Sequence, residues 1–135
     1  MSILGNGVDI VKNLRIKKSI KNVNFLNRIY TKKEIADSKR FFNKANFFAK
    51  RFAAKEAFVK SLGTGFRHNL NFNDISVKNK SSGKPELCIT NKVRKLIIKK
   101  FKINRFKIFL SLSDEDKYSI AFVVIKKIRW FQNIF

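Results

Sequence analysis

Apolar positions along this chain keep two rhythms, one near two residues and one near 3.6, and they divide it into short strands and helices. Ser2 to Val11 predicts a strand, with Ile3, Val8, Ile10 and Val11 set around Gly5 and Gly7 and with Asp9 embedded among them. Positions 12–22 predict a basic helix in which Leu14, Ile16 and Ile20 turn inward and Arg15, Lys17, Lys18 and Lys21 stay outside. Thr31, followed three residues later by Glu34, has capping-box spacing, so a second helix is expected over 32–40. From about Asn43 the chain carries helix formers without Pro or Gly until Gly63, which predicts one long helix that Gly63 stops. A hairpin is expected next, with strands over 74–78 and 86–89 joined by the polar tip NKSSG and Lys84-Pro85. Thr90 is a candidate cap for a helix over 91–101 with Val93, Leu96 and Ile97 inward. The β-branched and aromatic stretches 106–113 and 118–128 read as an antiparallel pair across the acidic turn Asp114 to Lys117. These elements describe an α+β protein.

Length and composition narrow the picture. The 135 residues make one domain, and 44% hydrophobic residues with 15 Phe are enough for a core. Cys88 is the sole cysteine, which excludes an internal disulfide and a CxxC pair and is expected as a small buried strand residue in a reducing cytosol. No run of about 18 apolar residues exists, and MSILGNGVD has neither the basic start nor the apolar stretch of a signal peptide, so a cytoplasmic protein without stable membrane insertion is expected. The net charge of +22 favours an anionic partner: nucleic acid, a membrane surface, an acidic protein or a phosphorylated cofactor. Part of that charge reflects a general enrichment in Lys, Asn, Ile and Phe. A nucleic-acid-binding module is the competing class, although no RNP-like strand, zinc spacing or helix-turn-helix pattern accompanies the charge. The basic, aromatic tail KKIRWFQNIF allows a third reading, a membrane-surface protein, with packing on the body as the default.

Chemistry concentrates in Arg51 to Gly65, RFAAKEAFVKSLGTG. At about 100° per residue, Phe52, Glu56 and Lys60 share one strip with Ala49 and Ala53 beside it, which puts a carboxylate and an ammonium on one helix face. An ordinary solvated i,i+4 pair accounts for that spacing equally well. Alanines that permit close approach, and the turn Gly63-Thr64-Gly65 with open N–H groups suited to phosphate oxygens, weigh toward a site. Asp9 needs a reason among apolar neighbours: pairing, a metal, or N-capping of the following helix. His68 is the only histidine, and its place beside Arg67 reads as solvated or phosphate-proximal rather than as a base.

Two motifs carry a resemblance. RFAAKEAFVKSLGTG, and GNGVDIVKNLRI from Gly5 to Ile16, resemble the signatures of the holo-acyl-carrier-protein synthases, small bacterial 4′-phosphopantetheinyl transferases. Agreement continues through FNDISVKNKSSGKPEL and LSLSDEDKYSIAFVVI, so the resemblance spans Ile3 to Ile125 and leaves 126–135 as a basic, aromatic extension. It implies a small antiparallel sheet packed on a long central helix, a homotrimer with sites between subunits, and transfer of phosphopantetheine from coenzyme A to a serine of acidic apo acyl carrier protein, in support of fatty acid biosynthesis. It further implies Asp9 and Glu56 as ligands of Mg²⁺ and, with Lys60 at the leaving group, as the catalytic set. Arg51, Lys55, Gly63, Thr64, Gly65, Gly83, Lys84 and Pro85 are implied at coenzyme A, and Arg15, with Lys18 and Lys21, at the carrier protein. The strand ending Leu112-Ser113 is followed by Asp114 where many relatives have histidine, which leaves Asp114 or a metal-activated water to take the serine proton.

Overall fold

The computed structural model describes residues 2–66 and 69–129. The chain runs β1 (Ile3–Lys12), α1 (Asn13–Ser19), α2 (Val23–Ile29), α3 (Lys32–Ser38), α4 (Lys44–Leu62), a 3₁₀ turn (Phe72–Asp74), β2 (Ile75–Asn79), β3 (Pro85–Ile89), α5 (Asn91–Phe101), β4 (Phe106–Asp114) and β5 (Tyr118–Lys127). The architecture is α+β with two small antiparallel sheets. One has the order β1-β5-β4 and the other is the β2-β3 hairpin.

The central helix is buried on nearly every side. From Phe47 to Leu62 only Lys50, Glu56 and Lys60 escape burial, while Ala49, Ala53, Ala54, Ala57 and Phe58 are fully enclosed. Asn43 caps its start by accepting from the Asn46 amide at 3.0 Å, and Gly63 ends it in a left-handed conformation with φ 75°. Sheet strands cover one flank of this helix: Ser119, Ala121, Val123 and Ile125 of β5 alternate inward and are 0% exposed. The opposite sheet face is open, and it is apolar. Val8 and Ile10 pair across the ladder with Phe122 and Ile120, and all four, with Phe109, are at least 40% exposed.

Capping explains where the predicted elements hold and where they differ. The Thr31–Glu34 capping box forms in both directions at 2.9 and 3.1 Å. The helix expected over 12–22 is shorter, Asn13–Ser19, and a further helix that the pattern did not suggest, α2, follows it because the Asn22 side chain accepts from the Asn24 and Phe25 amides. Thr90 precedes α5 without capping it by its side chain; its hydroxyl donates to Asp74 at 3.3 Å instead. The boundary expected after residue 125 falls inside β5, which continues to Lys127, where the amide donates to the Ser2 carbonyl at 2.6 Å. Lys126 and Lys127 therefore lie in the middle strand of the sheet, and the Ile128 amide beyond it donates to the Arg105 carbonyl at 3.1 Å. The rest of the expected tail, and His68, lie outside the described residues. No helix among the described residues is long and apolar enough to cross a membrane.

Candidate active site

Two glycines set the approach of β1 to α4. A Cβ on Gly5 would run into the Ser61 carbonyl, and one on Gly7 into the Ala57 carbonyl, so strand and helix touch backbone to backbone. The steps match: two strand residues advance about 6.6 Å and four helical residues about 6 Å. One further step carries Asp9 alongside the helix turn that ends in Glu56. Asp9 is mostly covered, at 14% side-chain exposure. Lys60 reaches over it, donating from Nζ to Asp9 Oδ1 at 2.9 Å and to the Val8 carbonyl at 3.2 Å.

Four charges converge here. Glu56 is half-buried and feels Asp9, Lys60 and Arg15. Burial, and then the Asp9 charge, push its carboxyl above the ordinary glutamate value, and Lys60 and Arg15 only partly offset this. Arg15 enters from α1 with its guanidinium 5.5 Å from the centre of the Phe52 ring. Its approach to Glu56 gives it a role at the cluster besides the partner contact read from the sequence. Lys18 is exposed on α1 and Lys21 follows the helix end, both directed away from the core. Two neighbouring carboxylates, with the Glu56 carboxyl raised in proton affinity, suit a divalent cation, which prefers oxygen donors. Among the described residues no group of three or more His, Cys, Asp and Glu side chains that could hold a metal forms, so a cation between Asp9 and Glu56 would need other oxygens to complete its shell.

Two residues expected at the phosphates, Lys55 and Arg51, are buried in the protomer. Lys55, at 0% exposure, donates to Glu34 Oε1 at 2.7 Å, to the Ile29 carbonyl at 2.6 Å and to the Phe72 carbonyl at 3.3 Å. Its ammonium has no free donor left for a ligand. Arg51 is 3% exposed, with its guanidinium 3.5 Å from the Phe47 ring centre and Nη1 donating to the Phe47 carbonyl at 3.4 Å. Burial lowers its pKa to about 10, with Glu34 and Asp37 opposing the shift, and Nε has no hydrogen-bond partner. Because α4 is enclosed at these positions, neither cation stands on the protomer surface.

The remaining candidates occupy separate places. Thr64 opens onto a groove of about 570 Å³ lined by Lys92, Lys95, Leu96, Lys99 and Lys100 of α5. The i, i+4 spacing of Lys95 and Lys99 was the available signal for this cationic wall, and the sequence reading passed over it. Gly83, Lys84 and Pro85 sit at the hairpin tip, and Lys84 and Pro85 line a cavity of about 340 Å³ against Phe106 to Leu110 of β4. β4 and β1 are opposite edges of the sheet, so one protomer does not bring this tip to Asp9. Asp114 accepts from Asn46 at 2.8 Å and pairs with Lys50 at 3.4 Å. Asn46 precedes Glu56 by ten residues, or about 15 Å of helix, so Asp114 stands apart from the carboxylate pair within the protomer.

A strand laid on a helix through two glycines, delivering an aspartate to a glutamate and a lysine, defines a class. The chain belongs to the 4′-phosphopantetheinyl transferase superfamily, whose model matches residues 5–123. Its relatives are specific within that class. It is 57% identical, over 94% of its length and 99% of the relative's, to the holo-[acyl-carrier-protein] synthase of Pelagibacter ubique. Among solved structures it is similar to the holo-[acyl-carrier-protein] synthase of Neisseria meningitidis, with a TM-score of 0.80 and 38% identity over 93% of this chain and 99% of that one. It is also similar to the Bacillus anthracis holo-(acyl-carrier-protein) synthase in complex with CoA (3′,5′-ADP), with a TM-score of 0.78 and 32% identity over 95% of this chain and 100% of that one.

Proposed function

We propose that this protein transfers the 4′-phosphopantetheine group of coenzyme A to a serine hydroxyl of apo acyl carrier protein, releasing adenosine 3′,5′-bisphosphate and supplying holo carrier protein for fatty acid biosynthesis. The observation that carries the reading is the convergence of Asp9, Glu56 and Lys60 at the β1–α4 contact in a chain of this family. In the transfer, the serine oxygen forms a bond to the β-phosphorus while the bond from that phosphorus to the bisphosphate oxygen breaks. Asp9 and Glu56 would hold Mg²⁺, which when bound neutralises pyrophosphate charge. Lys60, with a 55% exposed side chain, is free to swing from Asp9 toward the departing phosphate, where charge grows as the bond breaks. The serine proton leaves to water, which has access to this open cluster. Gly63 to Gly65 and the hairpin tip at Gly83 to Pro85 are assigned to coenzyme A, and Arg15, Lys18 and Lys21 to the acidic carrier protein.

The open apolar sheet face supports self-association, since an exposed patch with Val8, Ile10, Ile120 and Phe122 is expected to be covered. We assign it to a homotrimer, in which a neighbouring copy brings to one cluster the elements that a single protomer holds apart. The reading carries a cytoplasmic location with it. A nucleic-acid-binding module has only the net charge in its favour. Incubating apo acyl carrier protein with the protein, coenzyme A and Mg²⁺ tests the proposal by mass spectrometry. A phosphopantetheine mass gain that requires all three additions is expected; an unchanged carrier protein would refute the reading, and light scattering of an active monomer would refute the shared site.

A further inference from the structure

One side-chain pair outside the reacting cluster joins five elements of the fold. Glu34 Oε1 accepts from Lys55 at 2.7 Å and from the Thr31 amide at 2.9 Å, while Oε2 accepts from the Val77 amide at 3.0 Å. Lys55 in turn ties the last residue of α2, through the Ile29 carbonyl, and the 3₁₀ turn, through the Phe72 carbonyl. Both side chains are at most 1% exposed. Their bonds therefore bind α2, α3, the 3₁₀ turn and β2 to a single turn of α4, and the next residue on that turn is Glu56.

We propose that the Glu34–Lys55 pair is a positioning device that registers the β2–β3 hairpin, and with it the tip at Gly83 to Pro85, against the α4 turn carrying Glu56. The two residues touch no substrate. Their effect passes through the Phe72 carbonyl and the Val77 amide, where side chains of α4 and α3 hold the 3₁₀ turn and β2. A pure stability role could be filled by any pair of well-packed side chains, since buried ion pairs are often replaced by apolar residues without loss. Registration cannot be replaced in that way, because methyl groups offer neither a donor for Phe72 nor an acceptor for Val77. Burial lowers the Lys55 pKa and Glu34 opposes the shift, consistent with a charge held in place by its partner.

The test compares Lys55→Met with the double variant Glu34→Leu/Lys55→Met, in the full-length protein. The double variant removes both charges together, so its melting temperature should lie above that of Lys55→Met and within about 5 °C of the unmodified protein. Amide exchange over 72–79, measured without ligand, should nevertheless be faster by about tenfold or more. The kinetic arm rests on the transferase reading: KM for coenzyme A should rise about tenfold while kcat changes by less than about threefold. A double variant with unmodified exchange over 72–79 and unmodified KM would overturn the proposal and leave the pair a filler of the core. Should the double variant not fold, Glu34→Gln decides. Its amide must turn its NH₂ toward either Lys55 or the Val77 N–H, so exchange over 72–79 should quicken, and unchanged protection would overturn the inference. If the unmodified protein transfers no phosphopantetheine, the functional reading fails while the exchange measurement still decides this one.

Discussion

Lys55 and Lys60 leave the same helix five residues apart, and each makes one short ion pair, at 2.7 Å to Glu34 and 2.9 Å to Asp9. Their settings are opposite. The first pair is sealed, at 0% and 1% side-chain exposure, and every donor is spent on a fixed acceptor; the second is open, at 55% and 14%, beside a half-buried glutamate. Distance does not distinguish a structural pair from a reactive one. Burial does, because a sealed pair can exchange partners only by opening the core, whereas Lys60 can release Asp9 to water or to a phosphate at little cost.

The contrast breaks most visibly on stability. Lys55→Met should destabilise the fold by about 3–5 kcal/mol, since it strands Glu34 as a buried charge. Lys60→Met should shift stability by less than about 1 kcal/mol, because the lysine is exposed and water can replace it at Asp9. Thermal melts of the two variants check this, and equal losses would erase the distinction. Activity should run the other way for Lys60: kcat falls by about 10- to 100-fold with a smaller change in coenzyme A binding.

Arg15→Gln is expected to raise KM for the carrier protein about tenfold at low salt, with the difference shrinking as salt is added. Lys18→Gln, without a contact to the cluster, should change it by about twofold or less. Steady-state kinetics at two ionic strengths separates them.

The smallest effect is a pH dependence. Glu56 has a folded pKa above its unfolded value, so its contribution favours folding at acid pH and is lost as pH rises through the raised value. In the absence of ligand, Glu56→Gln should therefore melt about 2 °C higher at neutral pH and lose that advantage below the ordinary carboxylate range. Melts from pH 4 to 8 read this directly, and a gain that persists at acid pH would deny the repulsion with Asp9.

Much of this arrangement was legible in the sequence, and the missing parts share a cause. Caps and stops at Thr31, Glu34, Asn43 and Gly63 act within a few residues, so α3 and α4 could be read locally. Asn22 acts just as locally in starting α2, and its cap spacing to Phe25 was a signal that went unread. Gly5 and Gly7 are visible as glycines, but that they admit Ser61 and Ala57 depends on contacts fifty or more residues away in sequence. The burial of Lys55 could not be read for the same reason. Helical spacing alone gives no reason to seal Lys55 and Arg51 while Lys60 stays open; that division follows from the sheet, α3 and the 3₁₀ turn closing over α4, which only the tertiary fold decides.

The most direct measurement is a single-turnover time course, by mass spectrometry, of phosphopantetheine transfer to apo acyl carrier protein by the unmodified protein and by Asp9→Asn, with melting curves of both. The variant keeps the shape of Asp9 and removes its charge from the pair with Lys60 and from the field at Glu56. The account predicts transfer slowed by about 100-fold or more, with a melting temperature within about 5 °C of the unmodified protein. Transfer at the unmodified rate by a folded Asp9→Asn protein would contradict the assignment of the β1–α4 contact as the reacting centre.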